Sequence, residues 1–328
     1  MRVRTAVNDE QLSARLVDRR PLMYAEGADN REDRPAHVRA ASGLVWFAGQ
    51  LAMVQDDAGF LALVEPASGR TSAVALPRGP GGHRQFDDVR RNKADKLDLE
   101  AVLVVGELLI GLGSGATPVR RRALLFDGRE ARIAPADALY LALEATPELA
   151  GSELNLEGAA VLGDGRLRLF QRGNGDPGRA LPPVDATLDL ALAELVAYLG
   201  GEAAPPRIDA GAITHYRLGE LGGVRLTFTD AAVDPASGRL HYLACAERSP
   251  DAVRDGEVVG SAIGVFDELD GDRPLRWAAL SDRDGRPLAI KAEGLAFGPG
   301  GTVHVVLDAD DPASPSELCR LELAGPWR

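Results

Sequence analysis

Leu97-Asp98-Leu99-Glu100-Ala101-Val102 opens a short apolar run that turns at Gly106-Glu107 and returns through a second apolar run, 108–112. The same frame recurs as Leu154-Asn155-Leu156-Glu157-Gly158-Ala159 and as Ile290-Lys291-Ala292-Glu293-Gly294-Leu295. Two weaker copies fit it. One is Phe228-Thr229-Asp230-Ala231-Ala232-Val233, and the other is Ala41-Ser42-Gly43-Leu44-Val45-Trp46, where Ser42 replaces the acid. The key positions are 42, 100, 157, 230 and 293, and the steps between them run from 57 to 73 residues. A repeat of that length built from short strands points to an all-β fold, a β-propeller with one copy per blade. Five copies predict five blades. Six is the alternative, because the first 40 residues and residues 176–225 leave slack.

The fifth copy shows the unit in detail. Residues 290–297 alternate and then become apolar, as a buried strand does. Gly298-Pro299-Gly300-Gly301 is a turn, and residues 302–307, rich in β-branched side chains, read as the paired strand. Asp308-Ala309-Asp310-Asp311-Pro312 breaks that strand, and residues 317–323 give a third. Antiparallel pairing sets the start of one strand beside the end of the next. The polar loop after each second strand is therefore expected at the same end of the molecule as the signature. With three strands in the fifth copy, a strand near Arg2 to Val7 is predicted to complete it, closing the ring through the termini and covering an exposed edge. Residues 8–20 read as helical, and 135–149 have helical spacing with Pro135 near the start. For residues 190–199 the periodicity allows either a helical turn or a strand.

Composition and charge bound the function. The chain has 328 residues, 45% of them hydrophobic, and no Pro- or Ser-rich linker divides it, so one domain is expected over its whole length. The 37 Gly and 21 Pro suit many tight turns. A formal net charge of −12 argues against nucleic acid and anionic membrane as partners. Two basic groups stand against this background: Arg90, Arg91, Lys93 and Lys96, and then Arg120-Arg121-Arg122. Both flank the second copy, where they are solvated loop charges or, together, a lure for an anionic small molecule. Cys245 and Cys319 match no zinc or redox spacing. The N-terminal residues carry no apolar signal segment and no run approaches a membrane helix, so a cytoplasmic protein is the expectation.

The chemistry is expected where the signatures gather. If each signature strand is innermost in its blade, Glu100, Glu157, Asp230 and Glu293 converge on the channel. Carboxylates brought together must be neutralised, by a calcium ion, by shared protons, or by Lys96, Lys291 and Arg172. Alternatively each carboxylate is a repeated architectural latch to backbone N–H groups of a neighbouring blade. The metal set predicted on the first account is Glu100, Glu157, Asp230 and Glu293, with Ca2+ as the ion. The accompanying ligand-binding set is Lys96, Asp98, Ser114, Arg120, Arg121, Asn155, Arg172, Asn174 and Lys291. No residue is singled out as nucleophile or general base.

The segments Lys96-Leu97-Asp98-Leu99-Glu100-Ala101, Gly113-Ser114-Gly115, Gln171-Arg172-Gly173-Asn174-Gly175 and Gly260-Ser261-Ala262-Ile263-Gly264 carry a resemblance. The chain resembles phytase-like propeller proteins, including the domain described as esterase-like activity of phytase, and is similar to a group of uncharacterised bacterial propellers. The resemblance covers most of residues 40–325. It implies a calcium site at the blade signature, which here matches Glu100, Glu157, Asp230 and Glu293. It also implies a metal-dependent phosphoester hydrolase. The rival expectation is a non-catalytic scaffold that binds a small ligand or a protein over the same face.

Overall fold

In the computed structural model, which describes residues 2–249 and 256–327, strand pairing follows the repeat. The first sheet is an antiparallel meander of Ala41–Phe47, Gln50–Gln55, Phe60–Val64 and Thr71–Ala75. The second runs from Leu99–Val105 through Leu108–Gly113 and Arg122–Phe126 to Ala131–Pro135. The third comprises Leu156–Val161, Arg166–Gln171, Asp185–Ala191 and Ile213–Arg217, and the fourth Val224–Val233, Leu240–Glu247, Val258–Val265 and Leu275–Ser281. The fifth contains Lys291–Phe297, Val303–Asp308 and Glu317–Ala324. The first strand of each sheet is innermost, and these five lie side by side in a closed ring around a channel. The molecule is a β-propeller.

Closure uses the N-terminal segment differently from expectation. Ser13–Pro21 is the strand that completes the fifth sheet, pairing antiparallel with Glu317–Ala324. The sequence predicts a helix over these residues, and the structure makes them a strand. Arg2–Asn8 instead fills the seam between the third and fourth sheets. Its first half pairs parallel with Ile213–Arg217 and its second half with Leu275–Ser281. Arg4 explains why this strand is held so firmly. It is buried, and its guanidinium donates to the carbonyls of Glu268, Leu269 and Arg273 at 2.9–3.0 Å.

The other irregular segments are helical. Residues 137–144 form a helix that buries Leu139, Tyr140 and Leu143 against the second and third sheets, and Pro147 opens a further single turn, Pro147–Ala150. The stretch 190–199 is mainly helical: the strand Asp185–Ala191 ends on its first two residues and passes directly into the helix Leu192–Gly200, stopped by Gly201 in the left-handed conformation.

The sheets pack face to face, so their central strands are apolar on both sides. Between the second and third sheets the filling is aliphatic, with Leu112, Leu125, Leu167 and Leu169 in contact. Between the third and fourth it is aromatic. Phe170, Tyr216, Phe228, Tyr242 and Phe266 meet edge to face, with ring centroids 5.1–6.4 Å apart. No helix among the described residues is long and apolar enough to cross a membrane.

Candidate functional site

Each innermost strand carries a β-bulge at the signature, and the bulge decides which side chains face the channel mouth. Leu99 pairs with Gly113 and Ala101 with Leu112, so Glu100 is the extra residue. Glu157 and Glu293 are skipped in the same way in the third and fifth sheets. In the fourth sheet the skipped residue is Thr229, not Asp230. In the first sheet Ser42 and Gly43 together face a single partner residue. The structurally equivalent set is therefore Ser42, Glu100, Glu157, Thr229 and Glu293. The two hydroxyl members behave alike. Ser42 Oγ donates to the Leu99 carbonyl at 2.5 Å and Thr229 Oγ1 to the Ala292 carbonyl at 2.7 Å, each tying its strand to the neighbouring one.

Asp230 occupies the next slot, which is glycine in three of the other copies. A Cβ on Gly43 would lie 2.5 Å from the Glu100 carbonyl oxygen, and one on Gly294 would lie 2.4 Å from that of Ser42. The slot thus points at the backbone of another innermost strand, which leaves no room for a side chain in these three copies. In the fourth copy the slot holds Asp230. Its buried carboxylate accepts the Leu295 N–H at 2.7 Å and also the N–H groups of Leu44 and Ala231. Burial raises its pKa well above the ordinary carboxylate value, against the pull of those three donors. The expectation of Asp230 as a metal ligand is corrected here. It ties the first, fourth and fifth sheets together by backbone hydrogen bonds and does not line the mouth.

The mouth itself is lined by Glu100, Glu157 and Glu293 from the bulges, with Asp98, Asn155 and Lys291 just before them. The second-strand ends of the first, third, fourth and fifth sheets, with the loops just after them, add Asp56, Arg172, Asn174, Glu247 and Asp308, and the second sheet adds Arg120. The cavity is about 50 Å³, room for a few water molecules or a partly hydrated ion.

Its charges fall into two groups. On one side Lys96 bridges Asp56 and Asp98, the latter at 2.6 Å, and Arg120 Nη1 lies 2.7 Å from Asp98, which also accepts from Ser114 Oγ. Burial would raise the Asp98 pKa, but Lys96 and Arg120 outweigh it and hold that carboxyl well below the usual range. Asp56 goes the other way. Burial, aided by Asp98, pushes it up to about 7 despite Lys96. On the other side Arg172 lies 3.3 Å from Glu157 and 2.7 Å from Glu247, and Lys291 lies 3.1 Å from Glu293 and 2.9 Å from Asp310. Asn155 Nδ2 donates to Glu157 at 2.7 Å and to Asn174 Oδ1 at 3.0 Å. Burial pushes Glu157 up to about 8, with Glu293 adding to it against Arg172. Glu247, despite burial, is held down to about 2 by Arg172 and Lys291.

Two carboxylates keep open capacity. Among the described residues no hydrogen bond or ion pair reaches Glu100, and its pKa is raised well above the ordinary value by burial and by the carboxylates of Glu157, Asp56, Asp98 and Glu293. Glu293 Oε2 is buried with no hydrogen-bond partner among the described residues.

Of the residues expected at the site, Lys96, Asp98, Arg120, Asn155, Arg172, Asn174 and Lys291 line the mouth, and Ser114 touches it through Asp98. Arg121 does not. Its guanidinium turns to Glu144 on the helix 137–144, at 2.8 Å. The set proposed as metal ligands is also redrawn by distance. Among the described residues, one trio brings three carboxylate oxygens within 4.8 Å of one another, and it is Asp56, Asp98 and Glu100. Asp56 and Glu247 were missed. Both sit at or just past the ends of second strands, where antiparallel pairing brings them beside the signatures.

A family model described as a family of unknown function, DUF6929, matches residues 37–323. The chain belongs to that family. The match gives no support to the phytase-like part of the resemblance. No protein of curated function matches the chain. Among solved structures, a PQQ-bound aldose sugar dehydrogenase from Streptomyces coelicolor is similar at 11% identity and a TM-score of 0.45, covering 97% of this chain and 100% of that one. A calcium-binding protein, regucalcin, from Agrobacterium tumefaciens is similar at 11% identity and a TM-score of 0.42, covering 100% and 98%. A protein described as a gluconolactonase is similar at 13% identity and a TM-score of 0.43, covering 97% and 95%. Likenesses this distant carry no activity to the DUF6929 chain.

Proposed function

We propose that the channel mouth is a divalent-cation site and that the protein uses it for cation-dependent hydrolysis of a small ester. The trio Asp56, Asp98 and Glu100 carries this reading. Its oxygens lie within 4.8 Å of each other, and oxygens of one calcium site, each 2.3–2.6 Å from the ion, are at most about 5 Å apart. The donor set is all oxygen, which suits a hard cation. Glu100 has its acceptor capacity free, while Asp98 is kept ionised by Lys96 and Arg120. When bound, the cation would polarise a substrate oxygen and lower the pKa of a water beside it. The protein's own part is to hold Asp98 charged and to keep Glu100 open to solvent. Lys96 and Arg120 are engaged by carboxylates, so phosphate charge would have to be met by the cation itself.

The small cavity favours a second reading, a non-catalytic scaffold whose mouth is braced by a cation, because about 50 Å³ encloses an ion and a few waters but not a whole organic substrate. Melting curves with calcium, magnesium and manganese, followed by a panel of carboxylic and phosphoric esters with and without chelator, separate the two. Cation stabilisation with chelator-sensitive turnover supports the hydrolase. Stabilisation without turnover supports the scaffold. No shift with any cation removes both.

A further inference from the structure

The seam between the fifth and first sheets stays open at the end away from the acidic mouth. Lys291–Phe297 starts at the mouth and turns at Pro299, and beside that turn lies a depression of about 440 Å³, within the range of small-molecule sites. One wall belongs to the fifth sheet. Register sets His304, Arg320 and Asp18 opposite one another on its second, third and fourth strands, on the face whose Val306 and Leu318 pack against the first sheet. Arg20 lies two residues beyond Asp18 on that same face. The other wall is the first sheet's Trp46, half-buried, with the turn at Pro66-Ala67.

The charge of this depression is opposite to that of the chain. Arg20 and Arg320 stand against Asp18 alone, a net of one positive charge, in a protein whose formal net is −12. Asp18 meets Arg20 at 3.4 Å, longer than a good N–H···O bond. Arg320 and His304 make no hydrogen bond or ion pair among the described residues. Burial and the two arginines lower the pKa of His304, with Asp18 opposing, so its imidazole is neutral and adds no third charge. Arg20 reaches across the seam. A Cβ on Gly69 would lie 2.3 Å from its Nη1, so the guanidinium rests where that glycine has no side chain. Arg320 also borders a depression on the sheet's other face, but there Asp234 and Glu322 oppose it. A guanidinium fork matches a carboxylate, whose single charge balances this wall, and the flat face of Trp46 matches a ring. We propose that this seam is a binding site for a small aromatic carboxylate, its ring against Trp46 and its carboxylate between Arg20 and Arg320. The inference does not rest on the divalent-cation reading, and chelator in every titration keeps the two apart.

The test is calorimetric titration of the full chain, in chelator and at constant ionic strength, with benzoate, benzamide, cyclohexanecarboxylate and phenyl phosphate. Benzamide keeps the ring and lacks the charge, and cyclohexanecarboxylate keeps the charge and lacks the flat ring. The proposal expects benzoate to bind about tenfold or more tighter than benzamide, as a charge-assisted pair should, and also tighter than cyclohexanecarboxylate. It expects Arg320→Gln to reduce benzoate to the affinity of benzamide, and Trp46→Leu to erase the preference over cyclohexanecarboxylate. Arg132→Gln, exposed on the outer strand of the second sheet, is expected to leave binding unchanged and so controls for general attraction of anions to arginine. Benzoate that binds no better than benzamide or not at all, phenyl phosphate that binds tighter than benzoate, or equal loss in Arg320→Gln and Arg132→Gln overturns the proposal. The comparisons among ligands use the natural chain, so they decide the matter even if Trp46→Leu does not fold.

Discussion

Asp230 and Glu100 show how one residue type serves opposite ends at adjacent levels of a channel. Asp230 is enclosed and fully engaged by three backbone N–H groups. Glu100 stands one layer towards solvent with no donor among the described residues and four carboxylates around it. Removing the first leaves buried donors unmet, at about 1–3 kcal/mol each. Asp230→Ala is therefore expected to lower unfolding free energy by about 3 kcal/mol or more in urea, with any cation response kept. Glu100→Gln removes a like charge and should raise the cation-free melting temperature at pH 8. Equal destabilisation by both changes would contradict this division. Sequence reading placed both residues in one ring because acid followed by a small residue looked like the same frame. The bulge, a backbone event with no side-chain signature of its own, shifts that frame by one residue in the fourth sheet.

At the scale of elements, the repeat was legible because each copy holds a buried strand, a tight turn and a partner strand, and pairing of those strands is local. The N-terminal strands were not, since their partners lie more than two hundred residues away and their charged alternation, as in Ser13–Pro21, suits an outer strand and a surface helix alike. Their two roles make separate predictions. Deleting residues 1–8 opens only the seam between the third and fourth sheets and should lower the melting temperature while leaving a cooperative transition. Deleting residues 1–21 removes the fourth strand of the last sheet and exposes its edge, and is expected to abolish cooperative melting. A 1–21 deletion that melts like the full chain would show that closure does not depend on Ser13–Pro21.

For the whole molecule, the acidic mouth couples stability to pH and to cations. Asp56 and Glu157 titrate in the fold near 7 and 8, above their ordinary values of 3.8 and 4.5. The folded state therefore holds protons that the unfolded chain has released, and the stability they lend at acid pH is lost as pH rises from about 4 through 8. Glu247, held near 2, contributes in the opposite sense. Its share is present above its ordinary 4.5 and is lost only as pH falls towards 2. Cation-free protein should accordingly melt higher at pH 6 than at pH 8.5. A flat profile over that interval would mean that the mouth carboxylates are ordinary. A bound cation takes the place of the protons, so its stabilising effect should grow over the same interval. The most direct measurement is a calcium titration followed by melting temperature at pH 8, on the natural chain and on Glu100→Gln. The account predicts a saturable rise for the natural chain that Glu100→Gln abolishes. A melting temperature indifferent to calcium in both, or a rise equally large in Glu100→Gln, would contradict it.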